Sequence, residues 1–292
     1  MRPLMLRRLA FAPALALALL AAPLAQAATF VFTAIPDEDE TRLQERFQKV
    51  ADYLSEELDV EVRFIPVNSY AAAVTAFRND QVQLAWFGGL SGVQARERVP
   101  GSQAIAQGVE DAAFTTYFIA HRSTGLEPAD TLPEEIRGMT FTFGSMGSTS
   151  GRLMPEYYLR ERFGVAPDEL FSRVGYSGNH SRTASLVASG AYQLGALNYT
   201  AWENEVEAGN IDPEAVRVIW QTPTYPDYQW SIRGDVDARY GEGFTDRVRQ
   251  ALLDMDDPEL LASFPREGFI PASNEDYAPI RETGIALGLI DE

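Results

Sequence analysis

Residues 144–156, GSMGSTSGRLMPE, put three glycines and four hydroxyl side chains between a β-rich stretch and a helical one. A glycine-rich turn from a strand into a helix gathers free backbone N–H groups at the positive end of the helix dipole, where an anion is stabilised. Ser148, Thr149 and Ser150 add hydroxyl donors there. One of them would serve as an N-cap. Several together exceed what a cap uses, so the expectation is a small anion held by neutral donors. A nucleotide fits less well, because no lysine completes G-x-x-x-x-G-K-[ST] and G-x-G-x-x-G is unmet. Arg152, in the first helical turn, either contacts the ligand or points to solvent.

Other residues carry both a chemical and an ordinary reading. His180, in GYSGNHSRTAS, follows another glycine-containing turn and is either a donor to an anion or a surface histidine. Tyr70 opens a helix after PVNS and either aims its hydroxyl at a ligand or packs in the core. WFGGLSG, residues 86–92, repeats the order strand, glycine, serine, helix. Ser150, His180 and Asp227 also supply the residue types of a hydrolytic triad, so a secreted ester hydrolase is an alternative. Against it, the middle position of GSTSG is Thr149, which breaks the G-x-S-x-G elbow, and the order Ser, His, Asp is not that of α/β-hydrolases. Two distant histidines and no cysteine offer no metal site, and no cofactor is expected.

The elements that must position these residues alternate. TFVFTAI reads as a strand, and Leu43, Phe47, Val50, Leu54 and Leu58 follow at helical spacing. The β-α-β order continues through VEVRFIPV, SYAAAVTAFRN, VQLAWFG, MTFTFG, LGALNY and VRVIWQT, which predicts an α/β fold with mainly parallel sheets covered by helices. Arg2, Arg7 and Arg8, the apolar run from Leu9 to Leu20 and the small residues Ala25 and Ala27 form the pattern of an export signal over residues 1–27. The remaining chain of about 265 residues is long enough for two lobes. It carries 21 basic against 42 acidic residues, a surface that repels nucleic acid. The absence of cysteine predicts a free periplasmic protein without disulfides or a lipid-modified cysteine.

The segments NSYAAAVTAFRNDQVQLAWFGGLSGVQA, FTFGSMGSTSGRLMPEYYL, SGNHSRTASLVASGAYQLGALNYT and VIWQTPTYPDYQW, with the tail FIPASNEDYAPIRETGIALGLI, resemble the phosphate, phosphite and phosphonate receptors of ABC transporters. Within that family they look closest to a subgroup labelled selenate receptors. The resemblance implies a type II periplasmic-binding-protein fold, with two α/β lobes, a ligand cleft and a two-strand hinge. Residues 28–118 and 228–292 would form one lobe and 119–227 the other. Ser148, Thr149, Ser150, Tyr70 and His180 would hold a small oxyanion, and the cleft aspartate of the family falls at Asp227 or, one step over, Tyr228. If Asp227 faces the anion, a protonated phosphorus oxyanion is favoured; if Tyr228 does, sulfate or selenate becomes reasonable. Relatives that take aminoalkylphosphonates have a glutamate where this chain has Thr200 or Ala201, which argues against an amino-bearing ligand. The expected partners are the permease and ATPase of an ABC transporter, served by a monomer that is not an enzyme. A sensor subunit for a membrane receptor would have the same cleft.

Overall fold

The computed structural model describes residues 28–38 and 40–291, so the export signal expected over residues 1–27 lies outside the described residues. The strands are β1 (Phe30–Ala34), β2 (Val62–Phe64), β3 (Leu84–Phe87), β4 (Gln103–Gly108), β5 (Thr116–His121), β6 (Thr140–Phe143), β7 (Arg173–Tyr176), β8 (Leu194–Asn198), β9 (Val216–Gln221), β10 (Gln229–Ile232) and β11 (Phe269–Pro271). The helices are α1 (Glu40–Leu58), α2 (Tyr70–Arg78), α3 (Gly89–Glu97), α4 (Met154–Phe163), α5 (Pro167–Leu170), α6 (His180–Ala188), α7 (Tyr199–Glu207), α8 (Val236–Tyr240), α9 (Phe244–Leu253), α10 (Pro258–Leu261) and α11 (Ala278–Ala286).

Two sheets organise two lobes. The first runs β11-β4-β10-β3-β1-β2 and the second β7-β6-β8-β5-β9. β1 is buried along its whole length between β2 and β3, as expected of a strand covered on both faces. The helical stripe of α1 closes one face, with Phe47, Val50, Leu54 and Leu58 all essentially inaccessible. In the second lobe, alternation along β5 sends Phe118 and Ile119 to opposite faces. Phe118 joins Phe141 and Leu159 beneath α4, while Ile119 joins Val187 and Trp202 beneath α6 and α7.

The sheets are mixed rather than mainly parallel. β1 pairs in parallel with β2 and β3, and β6 with β7 and β8. β10 and β5 run antiparallel to both of their neighbours. The cause is connectivity: each of these two strands arrives from the opposite lobe, so it enters the sheet from the shared edge and cannot follow the local right-handed β-α-β path.

The chain crosses between lobes at 109–115 and 222–228. Phe114 and Tyr225 exchange backbone hydrogen bonds of 2.8 and 3.0 Å, and the Asp227 N–H donates to the Asp111 carbonyl at 3.0 Å. Thr116, Tyr117 and Phe118 pair within the second sheet. We therefore place the lobe limits inside the crossing segments, which assigns these three residues to the second lobe.

An ion pair anchors the first crossing. Arg266 donates from Nε and Nη2 to the Asp111 carboxylate at 2.8 and 2.7 Å, with the two side chains 3% and 0% exposed. Its guanidinium lies about midway between the rings of Phe114 and Tyr228, 5.4 and 5.3 Å from their centroids. Against the pull of burial, the Asp111 carboxylate holds Arg266 above the ordinary guanidinium range. Removing one member strands the other without water. Asp111→Ala is expected to lower unfolding free energy by about 3–5 kcal/mol in denaturant titrations; a loss below about 1 kcal/mol, the size of a surface pair, would contradict the anchoring role.

Candidate functional site

The second lobe presents its wall where β6 ends. After Phe143 the chain turns through residues 144–148 into a π-helical turn, Thr149–Leu153, that feeds α4. Ser148 is the N-cap: its Oγ accepts from the Gly151 N–H at 2.9 Å, and its carbonyl accepts from the Leu153 N–H five residues on at 3.0 Å. Pro155 sits early in α4, where its missing N–H costs nothing. Two glycines make the turn possible. The Gly144 N–H donates to the Gly151 carbonyl at 2.7 Å, and a Cβ on Gly151 would lie 3.1 Å from both the Gly144 Cα and the His180 Cε1. A wide first turn leaves helical N–H groups without intrahelical acceptors.

The first lobe answers with the start of α3. Gly88 and Gly89 follow β3, and the N–H groups of Gly89 and Leu90 meet side chains from the crossing segment and the second lobe. Asp227 Oδ1 accepts from Gly89 at 2.9 Å, and Thr149 Oγ1 accepts from Leu90 at 3.0 Å. A Cβ on Gly88 would stand 3.1 Å from Asp227 Oδ1 and 3.4 Å from Thr149 Oγ1. Sequence reasoning noticed the layout of WFGGLSG but did not place these glycines at the site. Tyr70 starts α2 against the second lobe, its Cβ 3.1 Å from where a Cβ on Gly147 would be.

Tyr70, Ser148, Thr149, Ser150, His180 and Asp227 thus converge, each at most 2% exposed. Their hydrogen bonds are unequally met. Tyr70 Oη, Ser150 Oγ and Asp227 Oδ2 are buried and make no hydrogen bond of good geometry, although the Ser148 hydroxyl lies beside Tyr70 and the Ser150 hydroxyl beside Asp227 and Tyr225. An unmet buried polar group costs about 1–3 kcal/mol.

His180 is held from both lobes. Its backbone N–H donates to the Asp37 carbonyl at 2.9 Å, Nδ1 accepts from the Asn198 backbone N–H at 3.3 Å, and Nε2 lies 3.4 Å from Tyr228 Oη. The bond at Nδ1 puts the ring proton on Nε2. Burial pulls the ring down to about 3, so it is a neutral imidazole. Neither ring nitrogen bonds to Ser150 or Asp227, so the hydrolase alternative lacks its triad. Arg152 fits neither of its two readings: Glu156 holds it at 3.0 Å beneath the Tyr176 ring.

At the two adjacent positions that sequence left open, the Tyr228 hydroxyl accepts from Asn198 Nδ2 at 3.0 Å, whereas Asp227 keeps one oxygen without a hydrogen bond of good geometry. Thr200 is engaged too, its hydroxyl donating to Asn198 Oδ1 at 2.7 Å. Asp37, one of several acids in PDEDE, had no signal to distinguish it. Burial and the neighbouring Glu38 push its carboxyl up to about 7, against the Tyr228 hydroxyl and Arg266. Burial pushes Asp227 up to about 6, against the Thr149 hydroxyl and the Gly89 amide.

These shifts predict a pH dependence for lobe closure. A carboxyl raised in the closed form and ordinary in the open form binds its proton more tightly when closed. It favours closure while protonated, and that contribution is lost as pH rises through about 6 to 7. Small-angle scattering of the ligand-free protein should show a larger radius of gyration at pH 8 than at pH 5.5, with a smaller difference in Asp37→Asn. Identical radii would contradict the linkage.

Comparison with known proteins places this geometry. The family model described as the periplasmic substrate-binding protein of phosphonate ABC transporters matches residues 32–277. A protein of Prochlorococcus marinus MIT 9301 named a probable ABC transporter phosphite-binding protein, PhnD1, is 40% identical over 264 residues, covering 88% of this chain and 89% of its own. The structure of that PhnD1 with methylphosphonate superposes with a TM-score of 0.85 over 90% of this chain and 99% of the other. The phosphonates-binding periplasmic protein of Escherichia coli K12 is 26% identical, over 87% of this chain and 75% of its own.

Proposed function

Because the chain belongs to the periplasmic substrate-binding proteins of phosphonate ABC transporters, we propose that it captures phosphite or a short alkylphosphonate between its lobes. Relatives of this kind bind ligand without transforming it, so the chain is a binding protein and not an enzyme. It works in the periplasm as a monomer and delivers the anion to the permease and ATPase of its transporter.

The observation that carries this reading is the set of three buried atoms without a well-formed hydrogen bond. Tyr70 Oη and Ser150 Oγ are hydroxyls able to donate, while Asp227 Oδ2 is an acceptor when ionised. A tetrahedral anion that keeps one proton satisfies all three, taking hydrogen bonds on two oxygens and donating its P–OH to the carboxylate. Ser148 and Thr149 use their oxygens as acceptors within the protein, and their hydroxyl protons, which lie toward Tyr70 and Asp227, are free to turn to a ligand. Selenate and sulfate carry no proton at neutral pH, so the same carboxylate repels them. That favours a phosphorus oxyanion over the selenate suggested by the nearest-looking subgroup.

Calorimetric titration with phosphite, methylphosphonate, phosphate, sulfate and selenate tests the proposal. Phosphite or methylphosphonate should bind at about 1 μM or tighter, selenate and sulfate at least about a hundredfold more weakly. Ser150→Ala should weaken methylphosphonate binding about 10- to 100-fold, the worth of one hydrogen bond to a charged group. Asp227→Asn should narrow the gap between methylphosphonate and selenate. Selenate as the tightest ligand, or unchanged affinity in both variants, would overturn it.

A further inference from the structure

A second cavity, of about 560 Å³, lies on the first lobe where the last turn of α3, the start of β4 and the turn before α11 meet. Arg96 lines it, seven residues beyond Gly89 and so about 10 Å along the helix from the oxyanion cleft. The volume is in the range of small-molecule sites.

What sets this cavity apart is a buried cation with no acidic partner. Arg96 is 8% exposed, and Nη1 donates to Gln229 Oε1 and, at 2.9 Å, to Ser231 Oγ. Both acceptors are neutral. The adjacent Glu97 is committed to Arg281 at 2.6 Å, and no carboxylate lies within ion-pair distance of Arg96 among the described residues. The Tyr277 ring, 5.2 Å away, is its nearest π face. Burial draws the guanidinium down to about 10, the mark of a charge short of compensation. A buried charge is ordinarily paired.

A second orphan lines the same cavity. Ser102 is 5% exposed and its Oγ is buried without a hydrogen-bond partner. With Nη1 spent, the Nε and Nη2 edge of Arg96 is the part that makes no hydrogen bond among the described residues. That edge is a planar fork that matches the two oxygens of a carboxylate.

We infer that this cavity is a second ligand site, in which a small organic carboxylate pairs with the Nε–Nη2 edge of Arg96 and accepts from the Ser102 hydroxyl. The exposed Arg281 and Glu97 on its rim leave the entrance near neutral, so the buried guanidinium supplies the attraction. The site does not depend on the oxyanion reading of the cleft, since it shares no residue with it.

Amide chemical-shift titration of the full chain with succinate, with the uncharged succinamide as control, tests this. Succinate should give saturable shifts centred on residues 96–103 and 274–281 with a dissociation constant of about 1 mM or tighter, and succinamide none. Ser102→Ala should weaken binding about tenfold, and Arg96→Gln should abolish it. Ser102→Ala should leave methylphosphonate affinity unchanged. Absence of saturable shifts, shifts confined to residues 148–150, or equal succinate affinity in Ser102→Ala would overturn the assignment. If Arg96→Gln fails to fold, the serine variant and succinamide decide the question.

Discussion

A polar atom taken out of water must find another partner, and the closed interface between the lobes leaves three without a well-formed hydrogen bond. Tyr70 Oη comes from the first lobe, Ser150 Oγ from the second and Asp227 Oδ2 from the second crossing segment. Closure without a ligand therefore carries a desolvation cost spread over both lobes and the hinge. A ligand that meets all three removes that cost only when the lobes are together. On the proposed function, this is the differential contact by which a small anion would drive a hinge motion.

Close approach is what makes the cost possible, and glycine is what makes close approach possible. The start of α3 reaches Thr149 and Asp227 because Gly88 and Gly89 have no Cβ, and the π-helical turn forms because Gly144 and Gly151 touch. Neutral donors gathered this tightly can hold an anion despite a formal charge of −18 on the whole chain. The surface charge is screened beyond about 8 Å at physiological salt, whereas the donors are in contact. The crossing segments carry the same logic into the scaffold. Asp111 accepts the Asp227 N–H through its backbone and pairs with Arg266 through its side chain, so the residue that holds one free acceptor is indirectly fixed to the first lobe.

Much of this was legible in the amino-acid sequence. The glycine and hydroxyl clustering at 144–151, the strand and helix alternation and the helical spacing of α1 are local signals, and the fold class followed from them. The direction of β5 and β10 was not legible, because it depends on which lobe a strand comes from and not on its own composition. The division of labour among Ser148, Thr149 and Ser150 is likewise tertiary: one caps its own turn, one reaches an amide of the other lobe, one is left unmet. Asp37 and Asp111 looked like any of the chain's 42 acidic residues. Asp111 is buried and Asp37 partly so, and burial of an acid is decided by partners distant in sequence, such as Tyr228 and Arg266.

The most direct measurement is a crystal structure of this chain grown with methylphosphonate. The account predicts ligand oxygens within about 2.5–3.0 Å of Tyr70 Oη, Ser150 Oγ and Asp227 Oδ2 together, with the lobes closed as described here. A ligand bound elsewhere, or one that leaves those three atoms to water or unmet, would contradict it.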